Sequence, residues 1–301
     1  MSALAPVMQG FFSEHLAQRR ASPHTVSSYR DTYRLLLRYA EERTGTPPAA
    51  LDLGALDVGL IGGFLDHLER DRHVGIATRN LRLTAIHSLL AYASYRCPEH
   101  AETIRRVLQI PPKTRDRTVV TFLTRPETTA LLGAPERATT LGERDHAVLL
   151  VAVESGLRVS ELTSLTWADV SFGRGAHVRV FGKGRKERTT PLLPGTARLL
   201  ESWKRRRGAG PDEPVFATMT GTRLSSDAVE DLLAKHLAVA RARCPSLRNK
   251  QVTPHTLRHT CAMNLLQSGT DIATIALWLG HFSGVGDLSR TVPRSVVSRR
   301  N

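Results

Sequence analysis

Cysteine is scarce: Cys97, Cys244 and Cys261 are the only three in 301 residues. An odd count with no C-x-x-C pair does not build a disulfide framework, and it suits a reducing cytosol. No apolar run approaches the roughly 18 residues of a membrane span, so an integral membrane protein is not expected. The first twenty residues, MSALAPVMQGFFSEHLAQRR, lack the basic start, apolar middle and small-residue cleavage site of a secretory signal. Acidic residues are in deficit as well, 28 against 42 Lys plus Arg, which leaves a formal net charge of +14. A chain this basic usually meets a polyanion, with nucleic acid first among the candidates. The alternative is a generally basic proteome with no specific partner. At 41% hydrophobic and 23% charged residues the composition is that of a globular protein, neither disordered nor fibrous. The length suits about two domains of roughly 150 residues each.

Residues 1–110 read as helices with short breaks. Ser22-Pro23 is a helix start, with Val26, Tyr29, Tyr33, Leu36, Leu37 and Ala40 at helical spacing behind it and Gly45 as the stop. Further helices are expected from Asp57, from Thr78 (with Leu81, Ala85, Ile86, Leu89, Leu90 and Ala93 on one side) and over AETIRRVLQI. Arg79 and Arg82 on the helix from Thr78 are candidate DNA contacts, although arginine on a helix is usually only solvated charge. Residues 111–120, PPKTRDRTVV, are the candidate linker. A second domain is expected over 121–281. It opens on the capping-box pattern Thr124-Arg125-Pro126-Glu127, and a helix apolar all round at Ala147 to Val153 should occupy its core. HVRVFGKGRKERTTPLL reads as a β-hairpin, Val178 and Val180 alternating with polar residues. Helices return around TARLLESWKRRRG and SSDAVEDLLAKHLAVARARC, then at Thr253-Pro254 and Asp271. The expected fold is mainly α with a small antiparallel sheet.

Three clusters in the second half could do chemistry. Arg158 lies in GLRVSEL, with Glu161 one helical turn on, and is placed to be buried and oriented. Lys183 sits between Gly182 and Gly184 at the hairpin tip, with Arg185 beside it. His255, Arg258 and His259 fall in HTLRH, and His281 follows in LGH. Two arginine forks can hold the non-bridging oxygens of a phosphodiester in paired hydrogen bonds without a metal ion. A lysine can protonate a departing sugar oxygen, and a histidine can move the nucleophile's proton. The blander readings are a solvated turn lysine at Lys183 and a helix-capping or Glu161-paired Arg158. His255 and His259 could instead ligate zinc, with His281 or a cysteine as third ligand, but Arg258 is a poor neighbour for a dication.

Taken in order, GLRVSEL, GKGRKER, HTLRH and LGH, preceded by SPHTVSSYRDTYRLLLRYAEE, resemble the tyrosine recombinase (phage integrase) family over most of the chain. The resemblance implies an N-terminal SAM-like helical core-binding domain and an α+β catalytic domain. It implies that Arg158 and Arg258 hold the scissile phosphate, that Lys183 protonates the leaving 5′ oxygen and that His255 serves as acid/base or phosphate ligand. His281 would hydrogen-bond the phosphate, and Glu161 would support the site. It implies DNA contacts from Arg79, Arg82, Lys183 and Arg185, no metal or nucleotide cofactor, double-stranded DNA as partner, a homo-oligomer on DNA (a tetrameric synapse) and a cytoplasmic location.

One part of the pattern is missing. The family's nucleophile is a tyrosine a couple of helical turns beyond the LGH histidine, which falls near Arg290. The five tyrosines here are Tyr29, Tyr33, Tyr39, Tyr92 and Tyr95. Residues 282–301, FSGVGDLSRTVPRSVVSRRN, have no helical periodicity and are expected to form an atypical, poorly ordered tail. A frameshifted or rearranged end explains the joint loss of residue and pattern most directly. Substitution by Ser283, Ser289 or Ser295, or a tyrosine from a partner chain, stays open. The leading reading is a site-specific recombinase or integrase that cuts and rejoins DNA through a covalent 3′-phosphoprotein intermediate, with catalysis left open. The alternative is a non-catalytic, sequence-specific DNA-binding protein with the same clamp. A type IB topoisomerase and a zinc hydrolase rank below both.

Overall fold

The structure, a computed structural model, describes residues 3–114, 120–182 and 187–280. The expected 282–301 tail, the hairpin tip with Lys183 and Arg185, and His281 lie outside the described residues. The chain divides into two compact units, one up to Arg117 and the other from Thr118.

The N-terminal unit is helical throughout. It begins with α1 (Leu4–Gly10), a π-helical turn (Phe11–His15) and α2 (Leu16–Gln18), a run that the sequence pattern did not reveal. Then come α3 (Pro23–Thr44), α4 (Val58–Arg70), α5 (Ile76–Ala93) and α6 (Ala101–Leu108). The Ser22 hydroxyl accepts the Thr25 N–H at 3.1 Å, Pro23 fits the first turn, and Gly45 ends α3 in the left-handed region at φ 67°. Asp57 caps α4 in the same way, accepting the Leu60 N–H at 2.8 Å. Phe11 is fully buried and meets Tyr29, Tyr33 and Tyr92 at ring separations of 6.1, 6.0 and 5.6 Å. The Tyr33 hydroxyl donates to the Ala85 carbonyl at 2.8 Å, and burial raises its pKa. These tyrosines are packing residues. Tyr95, on the turn after α5, is 91% exposed.

The buried face of α5 is the expected one at Ala85, Ile86, Leu89, Leu90 and Ala93, and departs from it at Leu81. Leu81 is exposed, whereas Arg79, Leu83, Ile86, Leu90 and Ala93 face inward. The helix also starts at Ile76, two residues before Thr78, and Leu83 rather than Leu81 belongs to its apolar stripe. Among the described residues no helix is long and apolar enough to cross a membrane.

The second unit runs α7 (Arg125–Leu132), α8 (Thr140–Ser155), α9 (Val159–Ser164), β1 (Val170–Ser171), β2 (His177–Phe181), β3 (Glu187–Pro191), α10 (Pro194–Arg207), α11 (Ser226–Arg243), α12 (Pro254–Gln267) and α13 (Ile272–Leu279). The Thr124–Glu127 capping box forms, the Thr124 N–H donating to Glu127 Oε2 at 2.8 Å. Helix α8 is buried along most of its length and fills the core, as its all-round apolar run requires. The sheet is antiparallel in the order β1-β2-β3; the short β1 was not legible in the sequence. In the β2–β3 register Val178 faces Thr190 and Val180 faces Arg188, and all four side chains are buried. The alternation that buries two valines on β2 therefore also carries an arginine into the core from β3. Thr253 and Asp271 cap α12 and α13.

Candidate functional site

The site is assembled where four elements end. Helix α8 stops at Gly156, whose φ of 63° belongs to the left-handed region and whose N–H still reaches the Ala152 carbonyl. A Cβ there would lie 2.6 Å from Leu279 Cδ2 and 3.0 Å from Cys261 Sγ, so only glycine fits between α12 and α13. The turn delivers Arg158 to the head of α9, where its N–H donates to Glu161 Oε2 at 2.8 Å.

Glu161 is buried and collects three more donors. Arg158 Nη1 donates to Oε1 at 2.9 Å, and Arg188 places Nη1 on Oε1 and Nη2 on Oε2, both at 2.8 Å. Burial alone would raise the Glu161 pKa. The Arg188 bonds, the Arg158 N–H and the two guanidinium charges reverse that and bring it to about 2. Arg188 also donates through Nε to the Trp278 carbonyl at 3.1 Å. Its guanidinium lies against Gly280, the left-handed cap of α13, where a Cβ would come within 3.0 Å of Nη1.

Arg258 approaches from α12. It is 3% exposed, and its Nη1 and Nη2 donate to the carbonyls of Gly156 at 2.6 Å and Leu279 at 2.5 Å. Burial, followed by the positive charge of Arg158, lowers its pKa to about 10, which still leaves it charged at neutral pH. Arg158 and Arg188 thus bond a single carboxylate and Arg258 lies within reach of its charge, so the cluster carries two more positive charges than negative ones. Concentrating like charge in a low-dielectric setting is costly, and a bound anion relieves it.

His255 lies on the first turn of α12, one turn before Arg258, and is exposed. Its ring stands 4.2 Å from that of His259 in an edge-to-face arrangement. No group of three or more His, Cys, Asp or Glu side chains that could hold a metal ion occurs among the described residues.

Of the residues singled out in the sequence, the structure thus gathers Arg158, Glu161 and Arg258 into one cluster and sets His255 on the helix that carries Arg258. Lys183, Arg185 and His281 lie outside the described residues. In the N-terminal unit, Arg79 is buried, with Nη1 donating to the Pro111 carbonyl at 3.3 Å and to Asn80 Oδ1 at 3.2 Å. Arg82 is half-buried, with Nη1 on Thr32 Oγ1 at 3.0 Å, and desolvation lowers its pKa. Both guanidinium groups are therefore engaged inside their own unit. Arg188 was not singled out from the sequence. It sits in a lysine- and arginine-rich stretch, and the available signal was its inward parity with the buried valines of β2.

The chain also matches known proteins along both units. The family model described as phage integrase family matches residues 121–284, and the one described as phage integrase, N-terminal SAM-like domain, matches residues 9–96. A protein bearing the name integrase/recombinase y4rC in Sinorhizobium fredii is 53% identical over 94% of this chain and 85% of its own length. Tyrosine recombinase XerC of Rhodospirillum centenum is 34% identical over 91% of this chain and 78% of its own. Among solved structures, the XerH site-specific recombinase bound to its palindromic difH substrate superposes with a TM-score of 0.73 at 19% identity, covering 91% of this chain and 77% of that one. A lambda integrase tetramer bound to a Holliday junction gives 0.68 at 19%, covering 94% and 78%.

Proposed function

Because the chain belongs to the phage integrase family of tyrosine recombinases, we propose that its arginine cluster holds a backbone phosphoryl group of double-stranded DNA. The observation that carries this reading is the excess of two positive charges around Glu161, built from planar forks and framed by the ends of α8 and α13. In this reading Arg158 and Arg258 bind the non-bridging oxygens and stabilise the charge that grows on them in transesterification. His255, exposed on the first turn of α12, holds or moves a proton there. Lys183 protonates the leaving 5′ oxygen, and His281 adds a hydrogen bond to the phosphate. The domain assignment (1–110 as DNA clamp, 121–281 as catalytic domain), the contact from Arg185, oligomerisation on DNA and a cytoplasmic location belong to the same proposal, whereas Arg79 and Arg82, whose guanidinium groups are engaged within their own unit, drop out of it. XerH bound to difH and the lambda integrase tetramer on a Holliday junction support it as relatives in fold.

A second reading is favoured by one observation: every tyrosine of this sequence lies between positions 29 and 95. The sequence then keeps the phosphate grip of a recombinase without the nucleophile, and acts as a non-catalytic DNA-binding clamp. A duplex nicked near the cleavage point separates the two, because the nick releases the leaving strand and traps any covalent intermediate. The non-catalytic reading predicts salt-sensitive binding with no covalent adduct on a denaturing gel. An adduct at stoichiometric yield contradicts it and establishes an active recombinase.

A further inference from the structure

We infer that Arg188 is a positioning residue: by occupying both oxygens of Glu161 it prevents that buried carboxylate from cancelling Arg158, and so keeps the Arg158 fork available to a phosphoryl group. The inference rests on the phosphate-holding reading of the same cluster.

Three observations carry it. The first is the division of Glu161's lone pairs. Arg188 takes the two-point fork-to-fork contact, at 2.8 and 2.8 Å, while the guanidinium of Arg158 makes only one bond to Glu161, through Nη1 at 2.9 Å. A carboxylate offers one such planar edge, and the arginine that holds it is the one most fully neutralised. The second is exposure. The side chain of Arg188 is 5% exposed and that of Arg158 40%, so the guanidinium with solvent access is the one left with spare donors. The third is how Arg188 is fixed. It enters from β3 opposite Val180, donates Nε to the Trp278 carbonyl and packs on Gly280. With Nε on a carbonyl and both Nη atoms on the carboxylate, all three guanidinium nitrogens of Arg188 are engaged and its charge is spent on Glu161. Its effect reaches the phosphate through Glu161 and Arg158. Without Arg188, Glu161 would be left with Arg158 as its counter-ion, the pair would close into a two-point bridge, and the cluster would lose one of its two excess charges.

The test uses the full chain with inorganic phosphate as the probe, its binding followed by phosphorus NMR line broadening. Arg188→Met is expected to weaken phosphate binding by roughly tenfold or more, the effect of losing one charge-assisted hydrogen bond. The double variant Glu161→Gln with Arg188→Met removes both the arginine and the charge it masks. It is expected to bind within about threefold of the unaltered protein, because each variant changes the charge that the other compensates. A double variant as weak as Arg188→Met overturns the inference and leaves Arg188 a structural role only; so does an Arg188→Met variant that binds like the unaltered protein. If Arg188→Met fails to fold, the double variant decides alone: near-normal affinity supports the inference, and a loss of tenfold or more overturns it. Arg258→Gln separates this from the underlying reading. If it binds phosphate normally, the phosphate-holding pocket itself is wrong. If it abolishes binding while Arg188→Met changes nothing, only the role of Arg188 falls.

Discussion

Gly156→Ala should disturb fold and site together. Two costs add. An alanine at φ 63° sits in the left-handed region at about 1 kcal/mol. Its Cβ would also press on Leu279 Cδ2 at 2.6 Å and on Cys261 Sγ and Cβ at 3.0 and 3.1 Å, an overpacking that costs about 1–3 kcal/mol. The expected loss is therefore about 2–4 kcal/mol. Gly208 supplies the control. It caps α10 at φ 60° with nothing within 4 Å of the place a Cβ would take, so Gly208→Ala should show the backbone cost alone. With a urea m-value of about 2 kcal/mol per molar, the midpoint of the second unit should fall by about 1–2 M for Gly156→Ala and by about 0.5 M for Gly208→Ala. Because the Gly156 carbonyl accepts Arg258 Nη1 at 2.6 Å, the first variant should also weaken anion binding and the second should not. Equal midpoints for the two variants would refute the tight α8–α12–α13 junction on which the site is built.

The pH dependence of stability has a definite sign. Glu127, which burial alone would raise, is brought to about 2 by Lys250, Ser246 and Thr124, and Glu161 reaches about 2 through the arginines; both start from an ordinary 4.5. Depressed carboxyls contribute fully above that ordinary value and lose the contribution as pH falls towards 2, so each should forfeit about 3 kcal/mol over that window. Urea midpoints that stay flat between about pH 6 and about pH 3 would contradict this. Asp145, on the buried side of α8, accepts His236 Nε2 at 2.8 Å and Arg144 Nη2 at 2.7 Å. Asp145→Ala strands both partners and should cost about 3 kcal/mol, read as a drop of about 6–12 °C in the thermal midpoint. A drop of less than about 2 °C would show that the buried network contributes little.

Much of the fold was legible because its signals are local. Ser22, Asp57, Thr124, Thr253 and Asp271 cap helices through side chains that act within three residues, and Gly45, Gly156 and Gly280 end them with positive φ. The β2–β3 hairpin followed from the alternation around Val178 and Val180. What stayed hidden depends on distant partners. The run from Leu4 to Gln18 has no cap side chain at its start, and β1 is two residues long and exists by pairing with β2. In the site, Arg158, Glu161 and Arg258 were readable because each stands in a short motif beside a helix boundary. Arg188 was not, because composition cannot tell a buried arginine from its solvated neighbours; only strand parity points inward. Arg79 is the converse case, a residue taken for surface charge that α5 turns into the core.

The central claim, that Arg158 and Arg258 grip one phosphoryl group together, has a direct test in the salt dependence of duplex DNA binding. The logarithm of the binding constant falls with the logarithm of salt by about 0.9 for each phosphate neutralised. Measured from about 50 to about 200 mM salt, the variant carrying both Arg158→Gln and Arg258→Gln should lose about 0.9 from that slope, one phosphate shared by two arginines. A loss of about 1.8 would place the two arginines on separate phosphates, and an unchanged slope would take both of them off the DNA.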